Sequence, residues 1–401
     1  MSLPAPIPVE EAQQRLCALV SPLPTEGIVA ADAVGRRLAE DIEARRTQPS
    51  ADLSAMDGYA IAAGDHSGPW RIVGESAAGH PFSGTLATGE AVRISTGAIM
   101  PHGSDAVLLQ ENATREGDTL SLNDEGNPTP RHIRRAGFDF EAGETLLRKG
   151  ARIGPAQLAL ALSGGHGVLP VHRLPSIAVL DSGDELSADP EKCEAHQIPA
   201  SNGPAIAALA RPFVSECLRI GPVKDTMDAM LGGLESAARA DVIVTSGGAS
   251  VGDHDLVKPA LERWGATIDF WRVAMKPGKP LMVARRANQV ILGLPGNPVS
   301  SFVTAYLFLL PLLRRMAGAL DLLPHPVAMA CLTPLPAGGK RTEFLRGRIV
   351  NGKVKLIEEQ DSSALRALAA ADVLIRRDID APPTKANDTV ETYRIRNGGI
   401  A

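Results

Sequence analysis

The sequence predicts an α/β multidomain protein: one domain built on a mostly parallel sheet, a β-rich domain inserted ahead of it, and an all-β C-terminal part. Three observations carry this. Between 174 and 323, short aliphatic runs alternate with helical periods. From 59 to about 125 the pattern is short strands and turns, with little helical period. After Leu323-Pro324 the helical period disappears, and 326–333, 343–350, 353–358, 372–375 and 389–394 read as strands of a small barrel or sandwich.

Composition limits the function. A chain of 401 residues accommodates roughly two to four domains and needs no disulfide or metal to hold its core. The formal net charge is −5, which argues against general nucleic-acid or anionic-membrane binding, so any anion site is a local positive pocket on an acidic protein. Cys17, Cys193, Cys217 and Cys331 are scattered and form no zinc or disulfide pattern. The N-terminal residues do not read as a signal peptide, and the apolar run 302–313 is too short for a membrane span and contains Pro311. The expectation is a cytoplasmic protein.

Taken in order, 9–20 suits a short helix, and a short strand and a second helical piece follow, through 36–45. An irregular connector, 46–53, leads to Ser54-Ala55-Met56-Asp57-Gly58, which reads as a turn before a strand or as a carboxylate held at a cleft. Strands are expected at 91–94 and 106–110, joined by a loop, 95–105, that is long for a hairpin. Arg131, Arg134 and Arg135 form a basic cluster beside Gly137, either a solvated face or a reach toward phosphate. A helix follows at 155–162.

In the α/β part, strands are expected at 177–180, 217–220, 242–245, 268–273, 281–284 and 289–292, and helices at about 203–210, 227–240, 256–264 and 299–316. Three loops follow strands: Ser246-Gly247-Gly248-Ala249-Ser250 running on to Asp255, Lys276-Pro277-Gly278-Lys279-Pro280, and Pro295-Gly296-Asn297-Pro298 before Ser300. Each alone is an ordinary turn. Together they can converge outside the carboxyl ends of one sheet, where glycine amides and two lysines suit a phosphate or oxyanion. Asp181, Asp184 and Glu185 end the first strand, and Asp225 and Asp228 follow the second. These carboxylates read either as turn and helix-start residues or as a Mg2+ cage. The absence of a G-x-G-x-x-G run disfavours a nicotinamide enzyme.

Six motifs in order, Ser-Ala-Met-Asp-Gly-Tyr-Ala at 54–60, Thr-Gly-Ala at 96–98, Ser-Gly-Asp-Glu at 182–185, Ser-Gly-Gly-Ala-Ser-Val-Gly-Asp at 246–253, Lys-Pro-Gly-Lys-Pro at 276–280 and Gly-Leu-Pro-Gly-Asn-Pro at 293–298, resemble the molybdopterin molybdenumtransferase (MoeA) family, which includes the E-domain of gephyrin. Ser182 and Ala249 depart from the family's usual Thr and Val. The resemblance implies an elongated homodimer of four parts: an N-terminal linker domain (1–45 with 131–173), a β-rich insertion (46–130), a three-layer molybdopterin-binding α/β domain like that of the molybdopterin adenylyltransferases (174–323) and a C-terminal β-barrel (324–401).

It further implies that adenylylated molybdopterin and molybdate react with Mg2+ assistance and that AMP is released. Asp57, Thr96, Glu185, Asp225, Lys276 and Lys279 match catalytic positions, and Asp184, Glu185 and Asp225 are the candidate metal ligands. Arg134, Asp139, Ser246, Gly247, Gly248, Ser250, Asp255, Pro295, Asn297, Pro298, Ser300, Arg341 and Ser363 are the candidate substrate contacts. Asp57, Thr96, Arg134 and Asp139 are expected to complete the cleft from the other subunit. Partners implied are a molybdopterin adenylyltransferase and the molybdoenzymes that receive the product. Two alternatives stay open: a peptide-binding scaffold, and an adenylyltransferase acting one step earlier.

Overall fold

The computed structural model describes residues 5–64, 66–247 and 256–395, apart from the side chains of Phe270 and Trp271. The chain divides into two compact units, one of Met1–Glu26, Gly35–Ala39 and Pro170–Ala401, the other of Gly27–Val34 and Glu40–Leu169.

The larger unit is built on a mixed sheet. Among the described residues its strand order is Glu216–Val223, Ser176–Ser182, Val242–Ser246, Gln289–Leu294, Pro280–Arg286, Thr267–Arg272. The first four are parallel, and the last two join antiparallel. Strand residues alternate between two covered faces, as a sheet buried on both sides requires. Ile177, Val179, Val242, Val244 and Leu292 face a core shared with the helices Val9–Ala18, Asn202–Ala210 and Pro298–Thr304. Ala178, Leu180, Ile243 and Ile291 face a second core with Met227–Ser236 and Val257–Arg263. This gives three layers.

The 299–316 helix is expected as one piece and is found as Pro298–Thr304, a π turn at Ala305–Leu309, and Leu310–Met316. Pro311 explains the turn: it lacks an N–H and its ring crowds the carbonyl four residues back, so the backbone widens just before it. Pro298–Met316 is long and apolar enough to cross a membrane, but 89% of its apolar window is buried inside the protein. Its Tyr306 hydroxyl donates to the Arg394 carbonyl at 2.9 Å. Tyr306→Phe is expected to cost about 0.5–1.5 kcal/mol of stability, the net worth of one hydrogen bond, readable as a lower urea midpoint at unchanged slope.

The C-terminal strands close a barrel. Val327–Ala330 pairs with Thr389–Arg394, which pairs with Val373–Arg377, then Thr342–Val350, then Lys353–Leu356. A bridge between Cys331 and Val354 returns to the first strand. Met329, Cys331, Val354, Val373, Ile375 and Val390 fill it. A short strand from the second loop, Met275–Lys276, adds parallel to Thr342 and Glu343 on its rim.

The smaller unit holds a sheet in the order Ser104–Leu109, Gly58–Ala62, Glu90–Ile94, Trp70–Ser76, Thr119–Leu122, Ala113–Glu116. The expected strands at 91–94 and 106–110 are present, but they do not form a hairpin. Both flank Gly58–Ala62, which is buried on both faces and lies between them.

The second helical piece expected through 36–45 is not formed. Leu38 bridges Val171, and Ile42–Glu43 pairs with Thr145–Leu147. Leu38, Ala39, Ile42 and Ala44 are buried in extended backbone, so strand partners distant in sequence override the local helical pattern.

Candidate functional site

Parallel pairing brings the ends of three strands level: Asp181 lies opposite Ser246, and Ser246 opposite Leu294. The loops that leave them therefore start on one edge. The Gly247 N–H donates to the Leu294 carbonyl at 3.1 Å, and Asn202 Nδ2 donates to the Gly296 carbonyl at 2.7 Å, which draws the loops together. The lysine loop enters the same edge between the strands Thr267–Arg272 and Pro280–Arg286. Its turn depends on Gly278, with φ +98°, where an added Cβ would lie 2.3 Å from the Thr304 hydroxyl oxygen.

A cleft of about 1380 Å³ opens here, entirely within the larger unit. Glu185, Ser246, Gly247, Lys276, Lys279, Pro295, Asn297, Pro298, Ser300, Arg341 and Ser363 all line it, as expected of one shared site. Gly248, Ser250 and Asp255 lie outside the described residues.

The barrel supplies one wall through 359–363. Arg346, 1% exposed, donates to the carbonyls of Glu359 (3.0 Å) and Asp361 (3.1 Å) and so fixes that segment from beneath. Asn297 Nδ2 donates to Ser362 Oγ at 3.0 Å, and the Val299 N–H donates to the Ser362 carbonyl, also at 3.0 Å. The Ser363 hydroxyl is committed to Asp361 Oδ1 at 2.5 Å, and with the Ser363 N–H it holds the Asp361 carboxyl below the usual range.

The cations differ from one another. Lys276 Nζ pairs with Glu343 Oε1 at 3.3 Å, and Arg341 Nη1 donates to the Met275 carbonyl at 3.4 Å. Half-buried Lys279 has no ion pair among the described residues.

The expected metal cage is not formed. The Asp184 N–H donates to Asp225 Oδ2 (3.4 Å) and the Asp225 N–H to Asp184 Oδ1 (3.3 Å), so the two turns tie each other. Only Glu185 of the three lines the cleft. No group of three or more His, Cys, Asp or Glu is placed to hold a metal ion among the described residues. One oxygen of each of Asp184 and Asp225 is thus engaged by the other turn's backbone amide.

Asp181, one of the clustered carboxylates but not among the candidate metal ligands or substrate contacts, also lines the cleft. It is 4% exposed, and its Oδ1 has no hydrogen-bond partner. Burial pushes its carboxyl up to about 6, against the pull of the Gly203 N–H, Arg219 and Ser246. The sequence signal was its place among the carboxylates at the carboxyl end of the first strand.

In the smaller unit, Asp57 and Thr96 come together. The Thr96 N–H donates to Asp57 Oδ1 at 2.7 Å, and this bond, with the Thr96 hydroxyl, holds the Asp57 carboxyl below the usual range. Arg134 and Asp139 are exposed, and Arg134 pairs in strand register with Leu53. Arg135 of the basic cluster is bound to Asp52 at 2.6 Å.

Three family models match the chain in order: "MoeA N-terminal region (domain I and II)" over 7–165, "Probable molybdopterin binding domain" over 178–315, and "MoeA C-terminal region (domain IV)" over 329–395. Among curated proteins the chain is similar to a molybdopterin molybdenumtransferase of Haemophilus influenzae, 36% identical over 332 residues and 81% of each chain. It is also similar to one of Bacillus subtilis, 33% identical over 387 residues, 92% of this chain and 90% of the other. Among solved structures, a molybdopterin biosynthesis MoeA protein from Pyrococcus horikoshii matches with a TM-score of 0.82 at 26% identity, covering 97% of this chain and 99% of that one.

Proposed function

We propose, since this chain belongs to the MoeA family of molybdopterin molybdenumtransferases, that its cleft inserts molybdate into adenylylated molybdopterin and releases AMP. Molybdenum cofactor biosynthesis is the setting the family supplies. The finer reading is supported by one observation above all: Lys276, Lys279 and Arg341 border one cleft together with the backbone turns at Gly247 and Gly296 and the hydroxyls of Ser246 and Ser300. Fixed cations and hydrogen-bond donors of this kind offset the cost of desolvating a compact dianion.

The chemistry asked of these residues is charge management. Molybdate and the phosphoanhydride are both anionic, and they repel each other when brought together. Fixed cations at the edge of a low-dielectric cleft offset that repulsion, and do so most strongly as charge develops on the leaving phosphate. Cleavage of the phosphoanhydride adds the elements of water across the P–O–P link. AMP leaves with one phosphate and the pterin keeps the other; as the two dithiolene sulfurs bond to molybdenum, one molybdate oxygen and the two thiol protons leave as water, which balances the water consumed in the cleavage. Lys279, half-buried and without an ion pair among the described residues, is the group best placed to meet the dianion. Ser246 and Ser300 are held in the wall as hydroxyls at 4% and 5% exposure. Glu185 is an exposed cleft carboxylate that would help hold a Mg2+ ion, which would supply further charge neutralisation. Homodimerisation belongs to the same reading.

The test is direct. The protein is incubated with adenylylated molybdopterin, and AMP is followed with and without molybdate. AMP release that depends on molybdate is expected. Equal release without molybdate, or none from intact substrate, ends the proposal.

A further inference from the structure

We propose that Glu343 is a resident competitor for the cleft cation Lys276, and so sets how tightly this site holds its anions. The inference rests on the reading of the cleft as an anion site and adds a residue that lies outside the cleft lining.

The two side chains meet at 3.3 Å across the parallel pairing of the second loop with the barrel rim, where Lys276 stands opposite Glu343. They are unequal partners. The Glu343 side chain is 15% exposed and fixed on a barrel strand, whereas the Lys276 side chain is 52% exposed and borders the cleft. The carboxylate is the anchored member and the ammonium the mobile one. A ligand anion entering the cleft therefore takes Lys276 from a partner that stays behind, and each departing anion is replaced by that same carboxylate.

The pair is not what joins loop to barrel. That is done by the backbone: the Thr342 N–H donates to the Ala274 carbonyl at 2.9 Å, and Met275 and Lys276 pair in register with Thr342 and Glu343. Neutralising Glu343 thus leaves the strand pairing intact and frees a cation. A residue with a purely structural role loses affinity when changed. This one gains it, and the sign separates the two accounts.

The experiment titrates wild type, Glu343→Gln, Lys276→Met and the double variant with AMP, and separately with sodium molybdate, by calorimetry at low salt. Glu343→Asp serves as a second, shortened carboxylate variant should the glutamine variant fold poorly. Glu343→Gln is expected to bind roughly two- to fivefold more tightly, the fold-change to which a partly exposed ion pair converts. Glu343→Asp is expected to gain less. The gain should vanish in the Lys276→Met background, because the cycle isolates the pair. Unchanged or weaker binding by folded Glu343→Gln, or a gain that survives without Lys276, overturns the inference and leaves the cleft reading standing. No binding of either probe by wild type and Glu343→Gln alike removes both.

Discussion

Lys279→Met lowers kcat/KM for molybdate-dependent AMP release by about 10²–10³-fold while leaving the melting transition in place. The size follows from the role assigned to the side chain. Removing one fixed donor aimed at developing negative charge costs about 3–4 kcal/mol in sites of this type. Lys279 fits that description better than its neighbour. Its backbone is set by the Val273 N–H, which donates to the Lys279 carbonyl at 3.0 Å, and by the Gly278 turn. No carboxylate shares its charge among the described residues, whereas Lys276 already has Glu343. Lys276→Met is therefore expected to cost about tenfold less than Lys279→Met, because part of that lysine's charge is already screened by its partner. A ranking in the other order, with both variants folded, removes Lys279 from the centre of the site.

Asp181→Asn raises stability at pH 8 by up to about 3 kcal/mol and changes it little at pH 4. The upper figure is the displacement of the Asp181 carboxyl from 3.8 to about 6, taken at about 1.4 kcal/mol per unit. The sign follows from proton linkage. Native Asp181 keeps its proton over a range where the unfolded chain has released it. Its contribution is fully present below the unfolded value and is lost as pH rises through about 6. Above that, the wild type carries an ionised carboxylate that is 4% exposed, with one oxygen unpaired. Asparagine keeps an acceptor for the Gly203 N–H and removes the charge. Urea midpoints of wild type and variant at pH 4 and pH 8 read the difference. A gap that does not grow between those values contradicts the burial argument for this side chain.

Much of this was legible because it rests on local chemistry. The strands around Ile177, Val242 and Val290 show themselves as aliphatic runs, and the loops after them as glycine and proline breaks. One rule, that ligands sit beyond the carboxyl ends of parallel strands, then gathers Ser246, Lys276, Asn297 and Ser300 into one cleft. The segment through 36–45 was not legible, since its buried residues are satisfied by strand partners around Val171 and Thr145 rather than by their own neighbours. The π turn before Pro311 was visible only as a proline in an apolar run.

The carboxylates show the same divide. Asp181, Asp184, Glu185 and Asp225 are chemically alike in the sequence, and their spacing offers a cage. In the structure Asp181 lines the cleft buried and half-paired, Asp184 and Asp225 bind each other's backbone, and Glu185 lines the cleft beside Asp181. The sequence by itself determined the order of α/β and all-β parts along the chain, the edge on which the loops meet and the sign of the ligand they suit, because periodicity, turn residues and formal charge are properties of the chain alone. Which charges stay available to that ligand was decided only in three dimensions. Burial, backbone amides and a barrel strand distant in sequence pair some of these groups and leave others open, and no spacing rule encodes those partners.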